Sequence, residues 1–229
     1  SSILLLTFTN KAANEITKRV ERSIKNTSDQ QKIIHGTFHS VGSRFLRRSA
    51  KLLKYKNNFS ILDTSDSRDL IRASLAKIIG KPKGYFPKAS VLQNLFSLAF
   101  NRFCSQKMIL DVPYLDRNFQ LEQLISEEYP HFSENLESII NILKTYRYKK
   151  KINQAMDFDD LLENWLELLI RNGQILPLCQ QIKYILVDEY QDTNKVQATI
   201  LYRLSLPENN LMVVGDDAQS IYSWRGANF

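Results

Sequence analysis

The sequence predicts an α/β fold, a parallel sheet interrupted along the chain by a long helical insertion. Four short apolar runs, Ile3–Leu6, Ile33–Ile34, Tyr184–Val187 and Leu211–Val214, each lead into a polar or glycine-containing segment. An unbroken apolar run of this length fits a strand buried on both faces, as in a parallel sheet. Between the second run and the third, residues 64–175 instead place apolar side chains at helical spacing.

Composition narrows the class. The chain has 229 residues, enough to bury a sizeable core. Its 43% apolar and 24% charged content is that of an ordinary globular protein and excludes a disordered one. No apolar run approaches the ~20 residues needed to span a bilayer. Ile3–Leu6 is also too short for the core of a signal peptide, so no membrane and a cytoplasmic location are expected. Cys104 and Cys179 lack metal-type spacing and are expected as thiols in a reducing compartment. The net charge of +7 is uneven, because residues 1–56 hold twelve Lys/Arg against three Asp/Glu. A basic end on a near-neutral body suggests an anionic partner such as nucleic acid.

Along the chain, Ile3–Leu6 is expected as a strand leading into Thr7-Phe8-Thr9-Asn10-Lys11. Thr9 or Asn10 is placed to cap the helix that follows. On that helix Ile16 and Val20, four apart, should face the core while Lys18, Arg19 and Arg22 face water. Ile33–Ile34 begins a second strand, and Gly36 permits a tight approach before Thr37-Phe38-His39-Ser40. The next helix carries Arg44, Arg47, Arg48 and Lys51, with Lys54 beyond, as either a phosphate-tracking face or a solvated one.

The helical region repeats Ile71, Leu75 and Ile78, then Leu92, Leu95, Phe96, Ala99 and Phe103, then Leu136, Ile139, Ile140 and Leu143. Gly80–Pro87 and Asp111–Pro113 mark loops. Lys144, Arg147, Lys149, Lys150 and Lys151 interleave with Tyr146 and Tyr148 as a duplex-contacting cluster or a solvated helix end. Asp157, Asp159 and Asp160 sit where acids favour a helix start. Phe158, Leu161, Leu162, Trp165 and Leu169 give that helix one apolar face.

Tyr184–Val187 stops at Asp188 and Glu189. Two adjacent carboxylates are costly to bury unpaired. They need not be buried at the carboxyl end of a parallel strand, where open α/β sheets bind ligands. Adjacent side chains point opposite ways, so one can serve a metal ion and the other a proton. Mg²⁺ suits such a site, since it is usually held by one or two carboxylates plus substrate phosphates. A solvated acidic turn is the plain alternative. Val196, Ile200 and Leu204 then continue a helix, and Leu211–Val214 ends in Gly215-Asp216-Asp217-Ala218-Gln219. Further on, Tyr222 and Trp224 project to one side of an extended segment with Arg225 beside them. Such a group stacks on bases without sequence preference, or else forms an aromatic core patch.

Five stretches carry a family resemblance. V-D-E-Y-Q-D-T-N (Val187–Asn194) resembles the Walker B motif of the UvrD/Rep/PcrA-type superfamily 1 DNA helicases. T-F-T-N-K-A-A (Thr7–Ala13) resembles their motif Ia, and Thr37–Ser40 their T-F-H-S element. Gly215–Ala227 resembles motif III, and Asp157–Leu161 matches their D-F-D-D-L element. The order is the family's, while the middle of the chain matches only in general character.

The resemblance implies a RecA-like domain 1A in two parts, residues 1–63 and 157–229, around a helical subdomain 1B at 64–156. It implies ATP and Mg²⁺ as cofactors, with Asp188 on the metal, Glu189 activating the attacking water and Gln219 sensing the γ-phosphate. Thr7, Phe8, Thr9, Asn10, Thr37, His39, Tyr222, Trp224 and Arg225 are the implied DNA contacts. The activity implied is 3′ to 5′ translocation on single-stranded DNA, with unwinding at single/double-strand junctions. Residues 1–229 contain no G-x-x-x-x-G-K-[ST] phosphate loop. The family's order places that loop before Ser1 and a second RecA-like domain after Phe229. The sheet is therefore expected to be incomplete, with the neighbouring apolar strands, Tyr184–Val187 among them, exposing edges or faces, and the segment alone inactive and prone to self-association. The alternative is a non-catalytic single-stranded nucleic-acid-binding module that has lost the phosphate loop.

Overall fold

The computed structural model describes residues 2–23, 33–80, 85–102, 117–172, 176–206 and 209–219. They form two compact units: one holds the described residues up to Asn57 and from Leu161 on, the other those from Asn58 to Asp160.

The first unit is built on a four-stranded sheet of order β2-β1-β5-β6, with every pairing parallel. Its strands are β1 (Ser2–Thr7), β2 (Ile33–Thr37), β5 (Ile182–Val187) and β6 (Leu211–Val213). Leu6 pairs with Gly36 on one side and Val187 on the other, so these strands end level with one another. Leu4 and Leu6 are fully buried, as expected of an inner parallel strand.

One expectation needs correction here. β5 is covered on one face only, since Ile182, Ile185 and Val187 are buried while Tyr184 is 52% exposed. The exposed edge falls on β6, where Leu211, Met212 and Val213 all remain exposed, while β5 is paired on both sides. Among the described residues nothing pairs with the outer side of β6.

Helix α1 (Asn10–Ser23) follows β1, and α2 (Phe38–Ser49) follows β2. Ala13 is buried on α1 and Ile16 half-buried; the side chain of Val20 lies outside the described set. The basic residues of α2 are used locally. Arg44 donates to the His35 carbonyl and Arg47 to the Asn57 carbonyl, leaving Arg48 as the more open charge. On the buried face, Phe45 lies 5.1 Å from Trp165 of α7 (Phe158–Asn172). Gly42 makes that approach feasible, because a Cβ there would sit 2.9 Å from the Trp165 ring. Phe158 is 45% exposed and is not part of the apolar face that Leu161, Leu162, Trp165 and Leu169 present. The short α8 (Pro177–Gln181) leads into β5, and α9 (Lys195–Ser205) follows it with an Asn194–Gln197 capping box. Cys179 on α8 is a free thiol pushed up to about 12 by burial, hence protonated and unreactive at neutral pH.

The second unit packs α3 (Thr64–Ile79), α4 (Ala89–Arg102), α5 (Arg117–Glu128) and α6 (Leu136–Ile152). Its core joins Ile71, Leu92, Leu95, Phe96, Leu121, Ile139 and Leu143. Ile78 lies off this core at 39% exposure, and Phe103 lies outside the described residues. A parallel pair of two-residue strands, β3 (Ser60–Ile61) and β4 (Ala155–Met156), too short for a periodic pattern, joins the two ends of the unit.

The basic cluster at the end of α6 is also different from its expectation. Tyr146 and Lys150 are buried, and Lys150 Nζ lies 2.5 Å from Asp157 Oδ2 and 2.6 Å from Asp160 Oδ2. Its ammonium sits 4.2 Å from the centre of the Tyr146 ring, whose hydroxyl donates to Asp157 at 2.6 Å. Burial and then the Asp157 charge push the Tyr146 phenol well above its ordinary range, so it stays a donor. Asp157 and Asp160 also bond each other's backbone N–H at 2.8 and 3.1 Å, closing a capping box on α7.

Candidate functional site

Because β2, β1, β5 and β6 are parallel, their carboxyl ends present four loops in a row. Adjacent strands lie ~4.8 Å apart, so the row spans roughly 14 Å. This is the end at which open α/β sheets take ligands.

At the tip of β5, the Asp188 N–H donates to the Leu6 carbonyl at 2.9 Å and continues the ladder. Asp188 Oδ1 accepts the N–H of Glu189 at 3.0 Å. Glu189 then turns into the left-handed region at φ 56°. A non-glycine residue there costs ~1–3 kcal/mol and persists only when its surroundings fix it. Gln191, 2% exposed, supplies one such tie, its Nε2 donating to Glu189 Oε2 at 2.5 Å. Burial, then the Glu189 charge, raise the Asp192 carboxyl above its ordinary value.

The tip of β6 packs directly on this turn. The Tyr190 N–H donates to the Val214 carbonyl at 3.0 Å, and the Val214 N–H to the Val187 carbonyl at 2.8 Å. A Cβ on Gly215 would lie 2.5 Å from Gln191 Oε1 and 3.1 Å from its backbone nitrogen, so a larger residue would push the Gln191 amide aside. The Asp216 N–H donates to Gln191 Oε1 at 3.0 Å. Asp216 in turn holds Gln219, whose Nε2 donates to Asp216 Oδ2 at 2.6 Å. Gln191 and Asp216 were not foreseen as site residues; their only signal was their place inside two recognised motifs.

At the tip of β1, Thr7 is fully buried and donates to the Thr9 carbonyl at 2.9 Å, shaping the loop from behind. Phe8 is half-buried and Thr9 exposed. Thr9 Oγ1 accepts the Ala12 N–H at 3.1 Å, which makes Thr9 the cap and Asn10 the first residue of α1. At the tip of β2, Thr37 caps α2 by accepting the Ser40 N–H at 3.3 Å. Burial lowers the His39 pKa to about 4, so at neutral pH it presents a neutral imidazole and not a cation. Tyr222, Trp224 and Arg225 lie outside the described residues.

The folded-state pKa of His39 lies below its unfolded value, so below pH ~6.5 the unfolded chain binds the extra proton first. Stability from this residue is complete above pH ~6.5 and is lost as pH falls toward 4. Urea titrations should show a shallower loss over that window in His39→Gln; parallel curves would refute it.

Among the described residues no group of three His, Cys, Asp or Glu side chains converges, which does not suit a closed zinc site. Asp188, half-buried at a strand tip, fits Mg²⁺, which takes few protein ligands beside substrate phosphates.

The parallel sheet, with carboxylates at one strand tip and a Gly-Asp loop at the next, marks a RecA-like domain. The chain belongs to the UvrD/REP helicase family, whose N-terminal domain matches residues 1–229. It is 38% identical to the ATP-dependent DNA helicase PcrA of Bacillus subtilis (strain 168) over 230 residues. It is 35% identical to the PcrA of Staphylococcus epidermidis (strain ATCC 12228 / FDA PCI 1200) and 34% identical to that of Staphylococcus aureus (strain COL). Each alignment covers 99% of this chain and 28% of the relative, so the chain spans under a third of their length.

Proposed function

We propose that residues 1–229 are part of an ATP-dependent DNA helicase that moves 3′ to 5′ along single-stranded DNA and opens single/double-strand junctions. The observation that supports this most is the order of the strand tips. Asp188, Glu189 and Gln219 stand on the adjacent tips of β5 and β6. The candidate DNA residues Phe8, Thr9, Asn10, Thr37 and His39 follow the neighbouring tips of β1 and β2, with Thr7 behind them. Nucleotide and DNA would thus be read at two ends of one row. The basic first 56 residues add attraction for phosphates.

In this reading Asp188 holds the magnesium of bound ATP, a metal that neutralises charge on the phosphates. Glu189 accepts a proton from the attacking water, and Gln219 contacts the γ-phosphate. Tyr222, Trp224 and Arg225 stack on and neutralise the single strand. Residues 1–63 and 157–229 serve as domain 1A, with 64–156 as the inserted subdomain 1B. The proposed substrate places the protein in the cytoplasm. If Trp224 stacks on a base, Trp224→Ala in the full-length protein weakens single-strand binding by ~1–3 kcal/mol. Fluorescence anisotropy measures this, and a lowered melting temperature with unchanged affinity would assign Trp224 to the core instead.

Strand displacement tests the function. The full-length protein should release a labelled strand from a 3′-tailed duplex with ATP and not from a 5′-tailed one. Binding to both substrates without displacement of either would favour the non-catalytic binding module. Residues 1–229 on their own should show no DNA-stimulated hydrolysis, since they contain neither a phosphate-loop Lys nor a second domain's arginine. They should also self-associate through the exposed β6 edge in sedimentation velocity. A monomer at high concentration would refute the second expectation, and steady turnover the first.

A further inference from the structure

Gln191 is buried, yet both ends of its amide are committed. Nε2 donates to Glu189 Oε2 at 2.5 Å, and Oε1 accepts the Asp216 N–H at 3.0 Å. Asp216 Oδ2 accepts from Gln219 Nε2 at 2.6 Å, and its Oδ1 from the Ala218 N–H at 3.0 Å. A continuous hydrogen-bonded path therefore joins Glu189 on one strand tip to Gln219 on the next. Gln191 also packs closely on Gly215, where an added Cβ would lie 2.5 Å from its Oε1. A purely apolar filler does not suit the position. A leucine of similar size would strand the Asp216 N–H and free Glu189, which already holds an unfavourable left-handed backbone.

We propose that Gln191 is a positioning residue that fixes the Glu189 carboxylate and links its orientation to the loop carrying Gln219. This rests on the reading of Glu189 as the group that takes the proton from water. A shift of the Asp216–Gln219 loop would pull on Asp216 N, hence on Gln191, hence on Glu189. Hydrolysis would then depend on the loop's position through one amide side chain.

The experiment compares Gln191→Leu, Gln191→Glu and Glu189→Gln in the full-length protein, using ATP and poly(dT). Gln191→Leu should lower kcat ~10–100-fold, the usual cost of losing an outer partner that orients a reacting group. The KM for ATP should stay near wild type, because ground-state binding is untouched. Gln191→Glu keeps the size but sets a second carboxylate against Glu189. One proton shared between the two preserves the contact at low pH, and its loss at higher pH drives them apart. The ratio of variant to wild-type kcat should therefore fall as pH rises. Asp188 and Asp192 on the same turn and Asp216 on the next loop are present in both proteins, so the ratio isolates residue 191. A flat ratio, with the kcat of Gln191→Leu near wild type, would overturn the proposal. So would losses of kcat that only track the unfolded fraction in thermal melts. Glu189→Gln separates the two claims: if it retains hydrolysis, the reading of Glu189 fails. If it is inactive while Gln191→Leu is not, only the role of Gln191 fails.

Discussion

Glu189→Gln in the full-length protein should reduce DNA-stimulated ATP hydrolysis by ~10²–10⁴-fold, the usual worth of a positioned general base. The substitution keeps the shape of the side chain and an oxygen for Gln191 Nε2 to bond. It removes one negative charge beside Asp192, whose carboxyl burial and Glu189 together push up. Folding should therefore change little, within ~0.5 kcal/mol. ATP binding should persist, because Asp188 and not Glu189 is the proposed metal ligand. Stopped-flow turnover and nucleotide-binding fluorescence read the two effects apart. Turnover within tenfold of wild type would remove Glu189 from the chemistry.

Lys150→Ala should destabilise the helical unit by ~3–5 kcal/mol, the range for stripping one partner from a buried ion pair. The ammonium is 2% exposed and its carboxylate partners 13% and 8%, so solvent screens the group little. Its removal leaves Asp157 and Asp160 facing each other in the interior while both also cap α7. The lost contact with the Tyr146 ring adds to the cost. Replacing all three, with Lys150→Met, Asp157→Asn and Asp160→Asn together, should cost less than the single change because no uncompensated charge remains. Hydrogen exchange across residues 136–172 measures both. A single-variant loss below ~1 kcal/mol would show that water reaches these carboxylates.

Much of the site was legible because it sits at strand ends, where an apolar run stops and chemistry begins. The Asp188–Glu189 step and the Gly215–Gln219 turn are both punctuations of that kind, and the structure sets them on adjacent strands. Lys150 was misread because Lys149-Lys150-Lys151 looks like a solvated run. Yet Ile139, Ile142, Leu143, Tyr146 and Lys150 fall on one helical stripe, and four of the five are plainly core residues. Phe158 failed in the opposite sense. It has the spacing of the apolar face but opens the helix, ahead of the packed turns. Which strand keeps a bare edge was not legible, since strand order does not follow from local sequence; the structure puts it on β6. Gln191 was invisible as a bridge because its second partner, Asp216, lies on another strand's loop.

If nucleotide at the β5–β6 tips answers to DNA at the β1–β2 tips, ATP hydrolysis by the full-length protein should respond as single-stranded DNA is added, with DNA occupancy followed by anisotropy in the same samples. The rate should rise and saturate with occupancy. A rate that stays flat while the DNA becomes fully bound would contradict that coupling.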